Sequence, residues 1–297
     1  MLLESRIPLR YSFGIITYEL LVVLFVGLAT RLGASELTNI LPVMPLAIPA
    51  FLGTAISVLL SFKMNQSYER WWEARRIWGT ILNDSRSLII QVQSFMGTEH
   101  SKEIKQIAYR QIAWGYVLGR SLRKLDTLKN IAHLISDDEL AAAAKQNNQP
   151  LFLLQTTSNN LKDLRLRKIL DVHAHIHLQE TIIRLTDSMG SAERISSTVF
   201  PSTYRLVLHS IIYLFVVTLA ISLKDVDNRL VVPLLLLISA GFFLIEKVAY
   251  HLQDPFKNRP SDVPITEIAR TAEKNIRQLL GEQTPTEEPD TRTFYIM

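Results

Sequence analysis

Cysteine is absent from the 297 residues. That excludes a disulfide framework, thiolate metal sites and a cysteine nucleophile, and leaves no redox compartment to be inferred. Strand-like alternation of useful length is also missing, so nothing in the chain points to a sheet. There is no phosphate-cradling P-loop, dinucleotide glycine motif, Gly-x-Ser-x-Gly elbow or His-Glu-x-x-His pair. No catalytic residue is therefore assigned, and the chain does not read as an enzyme. The formal charge of +4 is mild. No basic stripe coincides with a nucleic-acid-binding motif, so nucleic acid is not a partner.

Charge is itself missing over four long runs. Phe13 to Thr30 holds one ionisable residue, Glu19; residues 40–62 hold none; Leu206 to Leu223 holds only His209; Leu230 to Ile245 holds none. A bilayer's ~30 Å hydrocarbon core needs about 20 such residues in a helix, so the pattern predicts four transmembrane helices. The first run is too long, and its flanks too unlike a cleavage site, for a signal peptide, and it is expected to be retained. The short connections 31–39 and 224–229 contain only Arg31, Lys224 and Arg229 among the cations. By the positive-inside rule both termini and the long middle are then cytoplasmic. The expected divisions are 1–62 with spans one and two, a helical cytoplasmic region 63–204, spans three and four in 205–250, and a cytoplasmic C-terminal helix and extended tail in 251–297. No internal repeat is present.

The middle region carries helix signals. Residues 137–145, DDELAAAAK, put acids at a helix start and a lysine at its end, matching the helix dipole. From 161 to 195 the apolar residues Leu161, Leu164, Ile169, Val172, Ile176, Ile183 and Leu185 recur at roughly helical spacing. QNNQP at 146–150 and TTSNN at 156–160 read as turns. Glu19 calls for a structural partner, such as Arg10 or an arginine from 70–76. Glu246 and Lys247 close the fourth span and are expected at its interface, so no span carries paired charges in its interior. His173 and His177 share a helix face in HAHIH at 173–177, but no nearby acid supplies the general base of a zinc hydrolase, and no metal site is assigned.

Directly after the second apolar run comes SFKMNQSYERWWEARRIWG, residues 61–79. If the helix simply continues out of the membrane, Lys63, Tyr68, Arg70, Trp71 and Trp72 suit a headgroup boundary. The same segment, F-K-M-N-x-x-Y-x-R-W-W-E-A-R-x-x-W-G at 62–79, strongly resembles the bestrophin family in its bacterial branch. Further matches are E-R-I-S-S-T at 193–198 followed by Pro201, Tyr204 and His209, D-P-F at 254–256, and PSDVPI at 260–265 leading into a helix with Arg270, Glu273 and Asn275. The resemblance extends over nearly the whole chain.

It implies an all-α membrane protein with four transmembrane helices and a large helical cytoplasmic region per subunit, a homopentamer around one axial pore. The partners implied are the lipid bilayer of a bacterial plasma (inner) membrane, where the chain is multi-pass, and permeant inorganic ions. Within the second span Gly53, Ser57 and Ser61 form a small-residue stripe suited to close helix approach. Beside it Thr54, Val58 and Phe62 match the family's narrow apolar neck, which gates by dewetting; Thr54 departs from the usual apolar residue. The resemblance brings Val172 or His173 to a second, cytoplasmic constriction, where a ring of histidines would make conductance depend on pH near neutrality. Animal members bind calcium through an acidic cluster after D-P-F. Here Lys257, Asn258 and Arg259 follow, and no calcium clasp and no cofactor are expected. Chloride is the favoured ion because the cytoplasmic segments are rich in Lys and Arg. A sodium-selective channel of the same fold is the alternative, and a membrane-anchored scaffold or enzyme using the cytoplasmic helices is the alternative of another class.

Overall fold

The computed structural model describes residues 8–32, 44–198, 201–223, 228–283 and 295. The two charge-poor connections and the tail read from Gly281 onward lie largely outside them. The described elements are α1 (Leu9–Gly14), α2 (Thr17–Leu32), α3 (Ala47–Met96), α4 (Ser101–Leu122), α5 (Asp137–Ala144), α6 (Gln149–Leu166), α7 (Val172–Ser197), α8 (Ser202–Ser222), α9 (Asn228–Gln253) and α10 (Ile265–Leu279). No strand occurs among the described residues. The chain divides into two compact units, one of residues 4–70 and 199–253, the other of residues 1–3, 71–198 and 254–297.

The first unit is apolar. Among the described residues three helices are long and apolar enough to cross a membrane, in Ala47–Met96, Thr203–Ser222 and Leu230–Gln253, and the apolar helix Thr17–Thr30 is shorter. Helices α2, α8 and α9 pack against one another around Val23, Ile212, Val216, Leu235 and Phe243, and Ile56 and Leu60 of α3 join this core. A helix is what such a sequence must form in lipid, where each backbone N–H and C=O has to be satisfied within its own segment.

The second unit is a polar helical bundle with a conventional core. Trp78, Leu88, Ile89 and Val92 of α3 pack with Trp114, Val117 and Leu118 of α4 and with Leu161, Leu178 and Leu185 of α6 and α7. Helix α3 ends at Met96 because Gly97 takes φ +74°, a conformation that L side chains rarely adopt. Ser136 caps α5 by accepting from the Glu139 N–H at 3.3 Å, with three acids in the first turn. Arg110, buried on α4, pairs with Glu139 and so ties α5 down.

One expectation fails here, and one periodic stretch is divided between two helices. TTSNN at 156–160 is not a turn but lies inside α6. Thr156 and Thr157 hydroxyls donate to the carbonyls of Phe152 and Leu153 at 2.9 and 3.1 Å, and Thr157 is buried, so packing overrides their turn preference. The periodic stretch 161–195 is not one helix. It breaks at 167–171, where Lys168 takes φ 60° and Asp171 caps α7 by accepting from the Ala174 N–H at 2.9 Å. Val172, Ile176 and Ile183 then fall on the exposed face of α7, while Leu178, Ile182 and Leu185 fill the core.

Helix α4 approaches α10 closely at Gly119, where a Cβ would lie 2.6 Å from Ile265 Cγ2, whereas one at Gly115 meets nothing within 4 Å. Substitution to Ala should separate the two sites. Gly119→Ala is expected to lower stability by about 1–3 kcal/mol through overpacking, and Gly115→Ala to raise it by up to about 1 kcal/mol through helix propensity. Thermal unfolding of the purified protein should show the midpoint moving in opposite directions.

Candidate functional site

Within the apolar unit α3 has two contrasting faces. Ile56, Leu60 and Lys63 are buried, with 0%, 2% and 1% exposure. On the other side Thr54, Val58 and Phe62 are exposed, Val58 by 51% and Phe62 by 65%. The spacing of four keeps these three on one stripe, uncovered by the chain's own described residues. Thr54 Oγ1 donates to the Ala50 carbonyl at 3.0 Å, and Ser57 Oγ to the Gly53 carbonyl at 2.8 Å. Both hydroxyl protons are thus spent on the helix's own backbone, which moderates the polarity that Thr54 brings to the stripe. Of the small-residue stripe, Gly53 does allow close approach, its Cβ position lying 3.3 Å from Phe215 of α8. Ser57 and Ser61 do not meet a helix in this way and line an open groove with Tyr68 and Phe242.

One turn past Phe62 the helix presents polar groups. Glu69 is exposed and accepts from Asn65 Nδ2 at 3.1 Å. Tyr68 and Trp72 are exposed too, as a headgroup boundary requires. Lys63 and Trp71 are corrections to that boundary. Lys63 turns inward to a buried carboxylate, and Trp71 Nε1 donates to the Ser261 carbonyl at 3.1 Å. The Trp71 contact thus joins the 62–79 and 260–265 motifs, and two further contacts reach α10. Arg86 donates to Asn275, with its Nε at 2.8 Å, and Arg123 donates to Thr266 at 2.7 Å. Asp262, 1% exposed, accepts from the Arg259 N–H at 3.1 Å; burial raises its carboxyl above the usual range despite that bond and the nearby Arg123.

The apolar unit also holds a charge cluster that the sequence did not announce. Lys63 Nζ of α3 lies 2.8 Å from Glu246 Oε1 of α9, with side-chain exposures of 1% and 0%. His209 Nε2 of α8 is 3.1 Å from Glu246 Oε2, within ion-pair reach but misaligned for a hydrogen bond. Arg205 sits 3.9 Å from Oε1 and stacks over the Tyr250 ring at 4.3 Å. One residue on, Lys247 Nζ pairs with Glu19 Oε1 of α2 at 2.6 Å. Glu19 is therefore partnered by Lys247 rather than by an arginine. Glu246 is fully buried, and both it and Lys247, expected at the end of the fourth span, pair with groups on other helices. The reason is continuity of α9, which runs on to Gln253 and so places both residues against other helices.

Val172 and His173 belong to the polar unit, in the first turn of α7, and both are exposed. His177 Nδ1 lies 3.3 Å from Glu180 Oε2, both exposed. His175 is held below the usual histidine range by burial and by Arg165. No group of three or more metal-ligating side chains occurs among the described residues.

The buried pair makes a sharp prediction. Lys63→Met leaves the Glu246 carboxylate without its nearest cation and should cost about 3–5 kcal/mol, whereas the double change Lys63→Met with Glu246→Leu should restore most of the loss. Unfolding midpoints of the three proteins in detergent measure both steps.

The family model for "Bacterial/Fungal Bestrophin protein" matches residues 13–278. The chain is 29% identical over 281 residues to the voltage-dependent anion channel-forming protein YneE of Escherichia coli K12, covering 94% of this chain and 87% of that one. It is 27% identical to the voltage-dependent anion channel-forming protein alr2987 of a Nostoc species, covering 86% and 83%. A crystal structure of a bacterial bestrophin homolog from Klebsiella pneumoniae superposes with a TM-score of 0.85 at 24% identity, over 91% of this chain and 100% of that one, and so shares the fold. With the apolar helices and the linked motifs already described, the match over nine-tenths of its length shows that this chain is a membrane protein belonging to the bacterial and fungal bestrophin family.

Proposed function

We propose that the chain forms a homopentameric ion channel that passes small monovalent ions, chloride before cations, through one axial pore. In this reading each subunit spans the bacterial inner membrane four times, with both termini cytoplasmic. The carrying observation is the stripe Thr54, Val58 and Phe62, side chains exposed on a helix whose opposite face is packed. Five copies around an axis would enclose a narrow, mostly apolar neck in which water and ions are admitted only when it widens. Val172 and His173, exposed at the start of α7, would form the cytoplasmic constriction. The preference for anions is supported by the names of the relatives, which are anion channel-forming proteins.

A specific observation favours cations as the second reading. Glu69 is exposed two turns beyond Phe62 on the same stripe, and a ring of five carboxylates attracts cations.

Reversal potential in a planar bilayer under a potassium chloride gradient decides between them. The proposal expects a value near the chloride equilibrium potential, and a value near the potassium potential overturns the selectivity. Glu69→Gln should move the reversal potential further toward chloride. Phe62→Ala should raise single-channel conductance several-fold by widening the neck. A flat current from about pH 5.5 to about 8 that is the same in His173→Ala would remove His173 from the pathway.

A further inference from the structure

The polar unit contains a cleft that plays no part in the proposed ion pathway. It lies between α4 and α10, with a volume of about 620 Å³, inside the range typical of small-molecule sites. Its depth comes from sequence. Gly115 and Gly119 are one turn apart on α4, and both line the cleft. A side chain at Gly115 would enter open space, since nothing lies within 4 Å of its Cβ position.

The polar groups in the cleft are unevenly satisfied. Glu267 pairs with Arg270 at 3.0 Å. Glu273 accepts from Arg277 at 2.8 Å and from the Tyr116 hydroxyl at 2.6 Å. Arg123 donates to the Thr266 hydroxyl and the Val263 carbonyl through its terminal nitrogens, while its Nε is buried without a hydrogen-bond partner among the described residues. Arg120 Nη1 is likewise buried without a hydrogen-bond partner among the described residues. A buried cationic donor left unpaired is unfavourable, and a ligand oxygen would satisfy it. Lys274 adds an exposed ammonium to the lining. Thr266 and Thr271 also line it and carry hydroxyl donors.

We propose that this cleft binds a small soluble molecule through a phosphate group. Arg120 is the forked donor to two phosphate oxygens, Lys274 supplies the point charge, and the rest of the molecule occupies the space opened by Gly115. The site is separate from ion conduction, so binding can be read whether or not the protein passes current.

Inorganic pyrophosphate is the probe, titrated calorimetrically into the full-length protein in lipid-free detergent at fixed ionic strength. Saturable binding is expected. Arg120→Ala, which removes the donor, and Gly115→Leu, which fills the cleft, should each weaken it about tenfold or more. Lys105→Ala, a cation away from the cleft, should leave it unchanged. Absence of saturable binding overturns the proposal, as does binding that persists in Gly115→Leu or that falls equally in Lys105→Ala. Should Arg120→Ala fail to fold, Gly115→Leu decides alone.

Discussion

Glu246 is a carboxylate with no solvent exposure inside an apolar bundle, and the arrangement of that bundle follows from how it is neutralised. Lys63 reaches it from α3, His209 and Arg205 from α8, and the neighbouring Lys247 takes Glu19 of α2. All four long helices of the unit are thereby joined at one level. Removing two charges from water is costly, and their attraction returns that cost only when the geometry is close. The net contribution to stability is therefore small compared with apolar packing, but the contribution to register is large. Lys63 can meet Glu246 only when α3 is rotated so that Ile56 and Leu60 also face the core, which leaves Thr54, Val58 and Phe62 outward. The ion pair on one face of α3 thus determines what the opposite face presents.

The same helix changes character along its length without interruption. Its first third is apolar enough for lipid, and its last third places Leu88, Ile89 and Val92 in the core of a polar bundle. Between them lies the tryptophan- and arginine-rich segment. Trp78 is buried, Trp71 is held by the Ser261 carbonyl, and Trp72 is exposed. Three tryptophans close in sequence therefore have three duties, and only one resembles an interfacial anchor. The polar half of the molecule draws its motifs together through such contacts. Trp71 reaches the 260–265 segment, Arg86 reaches Asn275, and Arg123 holds the start of α10.

The all-helical class was legible because uncharged runs and helix-start signals are local. So were the exposed stripe, whose period of four is visible at 54, 58 and 62, and the family, whose motifs are spread along the chain. What escaped was set by partners remote in sequence. The pairing of Glu246 escaped because nothing near it signals Lys63, 183 positions away. TTSNN read as a turn because propensity carries no knowledge of Thr157's buried site. The break before α7 contains neither glycine nor proline; it rests on Lys168 in a left-handed conformation, although Asp171 as a helix cap was a signal that could have located it. Arg120 carried no sequence signal at all, since its unpaired nitrogen is a product of packing between helices remote in sequence.

The absence of native cysteine makes the central claim directly accessible to experiment. Single cysteines placed at Thr54, Val58, Phe62 and, as a control, the buried Ile56 can be treated with a charged thiosulfonate reagent while bilayer current is recorded. The account predicts that modification alters current at the first three positions and not at Ile56. Current that is unaffected at all three stripe positions, in channels shown by labelling to be modified, would place the conduction path elsewhere and contradict it.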